Sequence, residues 1–194
     1  THGDQCILVP LTDVDGVVWS LQTIYPCKWK PGDSPVATDK IVLKESRKSG
    51  SMHWLAKPDE TAPGWILIGE GYATAATVHE ATGLPTVMCV DSGNMAKVAK
   101  AIRVKYPDHR LMMCADDDQA TFKKTGRNPG LNAAHSAATN VGGYWCSPQG
   151  LEATESDFND LHARAGLLVV KQQLEAALKD PKNPEPPTHG QGAQ

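Results

Sequence analysis

Acidic residues stand directly after three apolar segments of this 194-residue chain. Glu70 follows WILIG, Asp91 follows TVMCV, and Asp116 to Asp118 follow RLMMCA. Each segment is typical of a buried strand, and ligands of open parallel sheets collect beyond the carboxyl ends of the strands. Crowded carboxylates repel one another unless a cation neutralises them, and oxygen ligands without a His or Cys cluster favour Mg²⁺ or Mn²⁺. The sequence therefore predicts a divalent-metal site.

The spacing of these acids indicates which of them are expected to bind the metal. Alternate residues of an extended segment point to one side, so Asp116 and Asp118 form the expected ligand pair and Asp117 points away. Gly71, directly after Glu70, lets the chain turn and lets a phosphate approach a helix N-terminus. Two structural alternatives stay open, because the aspartates could cap a helix in a polar turn and Glu70 could cap the helix near Thr74.

Strand and helix patterns alternate from Trp65 onward, which predicts an α/β fold with helices flanking a parallel sheet. The earlier residues have strand and turn character, with a hairpin signal at Asp15-Gly16. The expected organisation is a small β-rich subdomain at residues 1–62, an α/β domain with C-terminal helices at 63–180, and a disordered tail or linker at 181–194.

The charges are segregated, although the net charge is only −3. Residues 28–57 hold seven Lys or Arg against three acids, while acids gather at 116–118 and 152–160. A basic flank beside an acidic centre suits a metal-dependent enzyme that acts on a polyanion. The alternative is an ordinary solvated charge distribution.

Composition also bears on location and on zinc. No apolar run is long enough to span a bilayer and the first residues do not resemble a signal peptide, so we expect a cytoplasmic protein without membrane contact. The five cysteines include no CxxC pair. They are typical of reduced core thiols, and no zinc site is expected in this fragment.

Three segments, EGYATA, ADDD and SDFNDL, occur in this order beside apolar elements. Together they resemble the Toprim domain of bacterial-type DNA primases, over roughly residues 5–180, with the closest likeness to primases of plasmids, phages and other mobile elements. The resemblance implies that Glu70 acts at the catalytic centre and, with Asp116 and Asp118, holds the metal. It also implies that Asp157 completes the metal or nucleotide site.

The same resemblance assigns Gly71 and Asp160 to the nucleotide. Two positions depart from the family pattern: Asn159 stands where a second acid is common, and Thr74 stands where cellular primases carry an acid. The number of bound metal ions therefore stays open. A basic ridge in the subdomain before Toprim guides single-stranded template in such primases, which implies that Lys44, Arg47 and Lys48 bind nucleic acid. Three cations within five residues can contact successive phosphates.

The function implied by the resemblance is the catalytic core of a DNA primase. Such a core makes short RNA primers on single-stranded DNA from ribonucleoside triphosphates with Mg²⁺ or Mn²⁺. The chain would then be a fragment of a larger plasmid or phage replication or conjugation protein that works with helicase or relaxase modules. Two alternatives stay open: a Toprim metal-dependent nuclease, and a non-catalytic nucleic-acid-binding or docking domain of a conjugation protein.

Overall fold

Two β-sheets and six helices make up the described residues of the computed structural model, which are 5–29 and 37–181. The first sheet is antiparallel, and its strands lie in the order β1-β2-β3. These strands are β1 (Ile7–Thr12), β2 (Val18–Trp29) and β3 (Thr38–Val42).

The second sheet has five strands in the order β4-β6-β5-β7-β8. Strand β4 is antiparallel to β6, and the other four strands are parallel. The strands are β4 (His53–Ala56), β5 (Trp65–Gly69), β6 (Thr86–Met88), β7 (Arg110–Cys114) and β8 (Tyr144–Cys146). The helices are α1 (Tyr72–Thr82), α2 (Ser92–Lys105), α3 (Gln119–Thr125), α4 (Pro129–Val141), α5 (Phe158–Ala165) and α6 (Leu167–Lys179).

Helices cover both faces of the second sheet because its central strands are apolar on both sides. In β5, Ile66 and Ile68 pack on one face against residues of α2 and α4. Leu67 packs on the opposite face against residues of α1, α5 and α6. Strands buried on both faces read as continuous apolar runs, which explains the composition of WILIG and LMMC. The two clusters together fix the parallel strands, and therefore the edge at which they end.

The first sheet packs against the second near the start of α1. Val9 and Leu11 lie in one buried cluster with Ala75 and Met88. Thr12 also pairs with Met52 through two backbone hydrogen bonds of 2.8 and 2.7 Å. The inner face of the first sheet is thereby placed beside the turn that follows β5.

The observed architecture confirms the expected fold class, an α/β arrangement with a parallel sheet and a preceding β-rich part. The hairpin at Asp15-Gly16 is confirmed, since β1 and β2 pair across it. The expected boundary at residues 62 and 63 stays a prediction; β4, from the N-terminal side of it, pairs with β6.

Some details differ from the expectation or lie outside the described residues. Helix α3 is not predicted by the sequence patterns, since it carries no apolar periodicity. Cys6 and Cys27 are exposed rather than part of the core, unlike the other three cysteines. Residues 182–194, to which the expected tail is assigned, are not among the described residues. Among the described helices, none is both long and apolar enough to cross a membrane.

Candidate active site

Three neighbouring strands end at the edge where the acidic residues lie. Strand β5 lies between β6 and β7, so the residues that follow these strands are adjacent. Glu70 follows β5, Asp91 caps α2 after β6, and Asp116 follows β7. The sheet order therefore brings acids from separate parts of the sequence together.

Burial and mutual repulsion act on two of these carboxyl groups. Burial, followed by the negative charges of Glu70, Asp157 and Asp118, raises the pKa of Asp116 to about 9, while Lys40 acts in the opposite direction. Burial also raises the pKa of Glu70, with contributions from Asp118 and Asp91. The four acids predicted to hold the metal are thus near enough to interact electrostatically.

Two buried carboxylate oxygens in this group have no hydrogen-bond partner among the described residues: Glu70 Oε2 and Asp116 Oδ1. Unpaired buried carboxylate oxygens are costly, and a proton or a cation removes that cost. This pair of hard oxygen donors fits Mg²⁺ or Mn²⁺. In the described parts of the chain, however, no three Asp, Glu, His or Cys side chains form a ready-made metal cluster.

Asp118 and Asp157, in contrast, accept hydrogen bonds from protein donors. Asp118 Oδ2 accepts a hydrogen bond of 3.0 Å from the Gly130 backbone. Asp157 Oδ1 accepts one of 2.8 Å from the Asp160 backbone, and its Oδ2 accepts one of 3.1 Å from the Thr74 hydroxyl. Direct coordination by Asp118 or Asp157 would require these contacts to be exchanged for the ion.

Glu70 is held by the start of α2. The backbone N–H and the hydroxyl of Ser92 lie near its carboxylate and counteract part of the pKa increase. Helix α1 is capped instead by Gly71, without a side-chain cap hydrogen bond. The alternative that Glu70 caps the following helix is therefore wrong. Ser92 is a positioning residue that the sequence patterns do not reveal, because a lone serine after an aspartate carries no distinctive signal.

A brace fixes the ADDD segment. The Asn128 side chain donates to Asp117 Oδ1 at 2.6 Å, and its oxygen accepts from the Asp118 backbone at 3.2 Å. Gln119 also donates to both Asp117 oxygens, at 2.9 and 3.0 Å. Asp117 is thereby hydrogen-bonded to Asn128 and Gln119. By contrast, the charges of Glu70 and Asp118 raise the pKa of Asp116, and the charge of Asp118 also raises the pKa of Glu70.

Close backbone contact supports this brace. A Cβ at Gly130 would lie 2.3 Å from the Asp116 carbonyl oxygen. No side chain fits at that distance, so only glycine lets α4 approach the segment this closely. Helix α4 thus packs directly against the backbone of Asp116.

The two departures from the family pattern have structural roles. Thr74 is buried and donates to Asp157, and Asn159 Oδ1 accepts a hydrogen bond of 3.2 Å from Thr77. Asp160, assigned to the nucleotide, accepts one of 2.8 Å from the Ser156 backbone. The roles assigned to Asp157 and Asp160 stay predictions.

Lys40 is the cation at the centre that the sequence patterns miss. It lies on β3, and its Nζ is 3.6 Å from the position of a Cβ built on Gly71. It also lowers the pKa of Asp116 through its charge. A lysine on a strand far away in sequence gives no local signal, and only the packing of the first sheet places it here.

Of the predicted nucleic-acid-binding residues, Lys48 lies beside the β6 end of the same edge. Lys48 Nζ pairs with Asp91 Oδ2 at 2.5 Å, and the Arg47 guanidinium lies 4.5 Å above the Trp19 ring. Lys44 is exposed. Lys48 and Arg47 therefore each contact a neighbouring side chain while remaining exposed to solvent.

Comparison with known protein families matches residues 65–167 to the Toprim domain. Two proteins from Escherichia coli, both called DNA primase TraC, are 41% and 39% identical to the chain over 136 residues. These matches cover 70% of this chain but 12% and 9% of the relatives. The chain thus spans only about a tenth of the length of these relatives.

Solved structures share the fold. The RNA polymerase domain of Mycobacterium tuberculosis primase DnaG has a TM-score of 0.58 and 18% identity, covering 92% of this chain and 56% of that one. A DnaG primase catalytic domain bound to single-stranded DNA has a TM-score of 0.56 and 17% identity, covering 88% and 51%. At these identities the likeness concerns the fold alone.

Replacing Gly130 by alanine tests the close contact behind Asp116. Alanine normally favours a helix over glycine, yet we expect Gly130→Ala to destabilise the protein by roughly 1–3 kcal/mol, because the added methyl overlaps the Asp116 carbonyl. Urea unfolding measures this difference. Gly64→Ala is the matched control, since its Cβ would meet nothing closer than 3.9 Å. Equal stability of wild type and Gly130→Ala would contradict the assigned contact.

The raised pKa of Asp116 predicts a pH-dependent stability difference. Between an unfolded value near 3.8 and a folded value of about 9, the folded protein retains a proton that the unfolded chain releases. The stabilising contribution of this proton is present below the lower pKa and is lost as the pH rises toward the upper one. The Asp116→Asn variant has no titratable group at this position, so its stability does not decrease with pH in this way. Its stability relative to wild type should therefore increase from pH 5 to pH 8, by at most about 1.4 kcal/mol per pH unit.

Urea unfolding in a chelator at both pH values measures this increase. Asp108→Asn, at an exposed position, is the matched control. A relative stability of Asp116→Asn that stays constant or decreases between pH 5 and pH 8 would show that Asp116 does not retain its proton.

Proposed function

This chain belongs to the Toprim domain family, and on that premise we propose that it is the catalytic core of a DNA primase. It would synthesise short RNA primers on a single-stranded DNA template from ribonucleoside triphosphates. The observation that carries the proposal is the pair of buried, unpartnered oxygens of Glu70 and Asp116 at the edge of the parallel sheet. The identity of about 40% to two DNA primases named TraC supports the choice of reaction.

The metal-binding residues would be Glu70 and Asp116, with Asp118 and Asp157 adding negative charge. Bound Mg²⁺ or Mn²⁺ supplies the positive charge that activates a primer hydroxyl and stabilises the attacked phosphate. Ser92 keeps the Glu70 carboxylate in one orientation through two donors. The carboxyl of Asp116 holds a proton at neutral pH and releases it when a cation takes its place.

Phosphate and template would be held by cations around this centre. Lys40 lies beside Gly71, whose missing side chain leaves room for a nucleotide phosphate. We assign Asp160 to the same nucleotide. Lys44, Arg47 and Lys48 would hold the template, because Lys48 contacts Asp91 on the β6 side of the centre and the other two lie within four residues of it in the sequence.

The larger protein and its location are part of the same proposal. Because the TraC relatives are many times longer than the matched segment, helicase or relaxase modules of the same or a partner protein are the expected neighbours. DNA and ribonucleotides are both available in the cytoplasm, which is the proposed location.

A primer-synthesis assay tests the proposal directly. The chain is incubated with single-stranded DNA, ribonucleotides and Mg²⁺ or Mn²⁺, and the RNA products are resolved by length. We expect Asp116→Ala combined with Asp118→Ala to reduce synthesis about a hundredfold or more, because charge stabilisation at the reacting phosphate is lost.

The matched control removes two exposed acids away from the edge, Glu80→Ala with Asp108→Ala. Synthesis that survives the paired site substitutions unchanged would refute the assigned roles. Metal-dependent cutting of DNA without nucleotides would identify a nuclease instead. DNA binding without turnover at any metal concentration would identify a binding or docking domain.

A further inference from the structure

Helix α3 is unusual because none of its residues is buried by the described parts of the chain. It has seven residues, begins directly after Asp118 and buries none of its side chains. Isolated helices this short are marginal in water, and most helices in proteins are stabilised by packing of an apolar face. Helix α3 has no such face among the described residues. A binding partner that contacts it would therefore also stabilise it.

The α3 segment, residues 119–127, carries an exposed cationic surface. Lys123, Lys124 and Arg127 are all exposed, and their side chains make no ion pair or hydrogen bond with the described residues. Lys48, by contrast, is paired with an acid. The unpaired cations of the α3 segment are thus free to contact an anion.

The acidic groups that line a cleft beside the segment have other partners. Lys123 lines an open cleft of about 370 Å³ that also contains Asp117 and Glu152. Asp117 is already bonded to Asn128 and Gln119, and Glu152 lies 3.8 Å from Arg164. The cations of the segment therefore form no ion pair with the part of the chain that the structure describes.

The sheet order places this segment opposite the first basic flank. Lys48 lies by Asp91 at the end of β6, whereas α3 follows β7, and β5 with Glu70 lies between them. Adjacent strands are about 4.8 Å apart, so the ends of β6 and β7 are separated by roughly 10 Å. A strand of nucleic acid crossing the acidic centre would reach both flanks.

An exposed aromatic ring adds a second kind of contact. Phe122 is 48% exposed and lines a shallow pocket with Leu131 and Asn132. Aromatic rings beside cations are typical of surfaces that bind single-stranded nucleic acid, because bases stack on the ring while the cations contact phosphates. The surface is open, which suits a continuous strand better than a single enclosed nucleotide.

We propose that the α3 segment binds single-stranded template DNA on the side of the acidic centre opposite Lys44, Arg47 and Lys48, and that DNA binding orders α3. The inference extends the proposed primase function by adding a second template-binding surface. It concerns binding alone, so it is tested without nucleotides or metal.

Fluorescence anisotropy with a labelled single-stranded DNA measures the contribution of the cations. We expect Lys123→Ala, Lys124→Ala and Arg127→Ala together to weaken binding at least tenfold. The slope of log affinity against log salt should also decrease in magnitude by about 2, since each phosphate contact on a single strand contributes roughly 0.7. The matched control removes three exposed lysines elsewhere, at positions 100, 171 and 179, and should leave affinity and slope unchanged.

Two further measurements separate contact from a general charge effect. Phe122→Ala should weaken binding about tenfold at unchanged salt slope, because stacking is lost without loss of charge. Amide hydrogen exchange at residues 119–127 should slow on addition of the same DNA. Because neither measurement involves catalysis, a failure of primer synthesis leaves this result standing.

Unchanged affinity of the triple variant would overturn the inference. So would exchange at residues 119–127 that DNA does not affect, or equal loss of binding in the triple variant and its control. Tight binding of ribonucleotides to the segment that leaves DNA affinity unchanged would likewise overturn the inference. The ligand of the segment would then be a free nucleotide rather than a DNA strand.

Discussion

The structure depends on one electrostatic constraint: Glu70 and Asp116 each bury a carboxylate oxygen to which no described residue donates a hydrogen bond. Burial and neighbouring acids favour a neutral Asp116, with a pKa of about 9. A cation would satisfy the same oxygens and make the charged form favourable. On the proposed function, the binding of a divalent metal at this edge of the sheet would therefore compete with the binding of a proton.

The surrounding scaffold maintains this constraint rather than relieving it. Gly130 lets α4 contact the Asp116 backbone, and Ser92 holds one side of Glu70. Val90, directly before Asp91, adopts a φ of 79°, which is rare for a β-branched residue. Strained backbone of this kind persists only where packing enforces it, and Val90 lies in the buried cluster that joins the two sheets. Tight packing thus keeps the acids close together despite their repulsion.

Much of this arrangement could be predicted from the sequence, because it follows from local patterns. The alternating apolar segments identify the parallel strands, and the acids that follow them identify the edge. Lys40, Ser92 and helix α3 could not be predicted in this way. Lys40 reaches the centre only because the first sheet packs beside it. Ser92 follows β6 but lies near Glu70, which follows the neighbouring strand β5. Helix α3 has no apolar periodicity. Their roles depend on tertiary contacts between segments distant in sequence.

Diffraction from crystals grown or soaked with Mn²⁺ tests the central claim most directly, because anomalous scattering locates the ion independently of activity. The account predicts a peak within about 2.0–2.6 Å of an oxygen of both Glu70 and Asp116, the range for hard cations bound by oxygen. A well-occupied peak elsewhere, with those two oxygens still lacking any partner at saturating Mn²⁺, would contradict it.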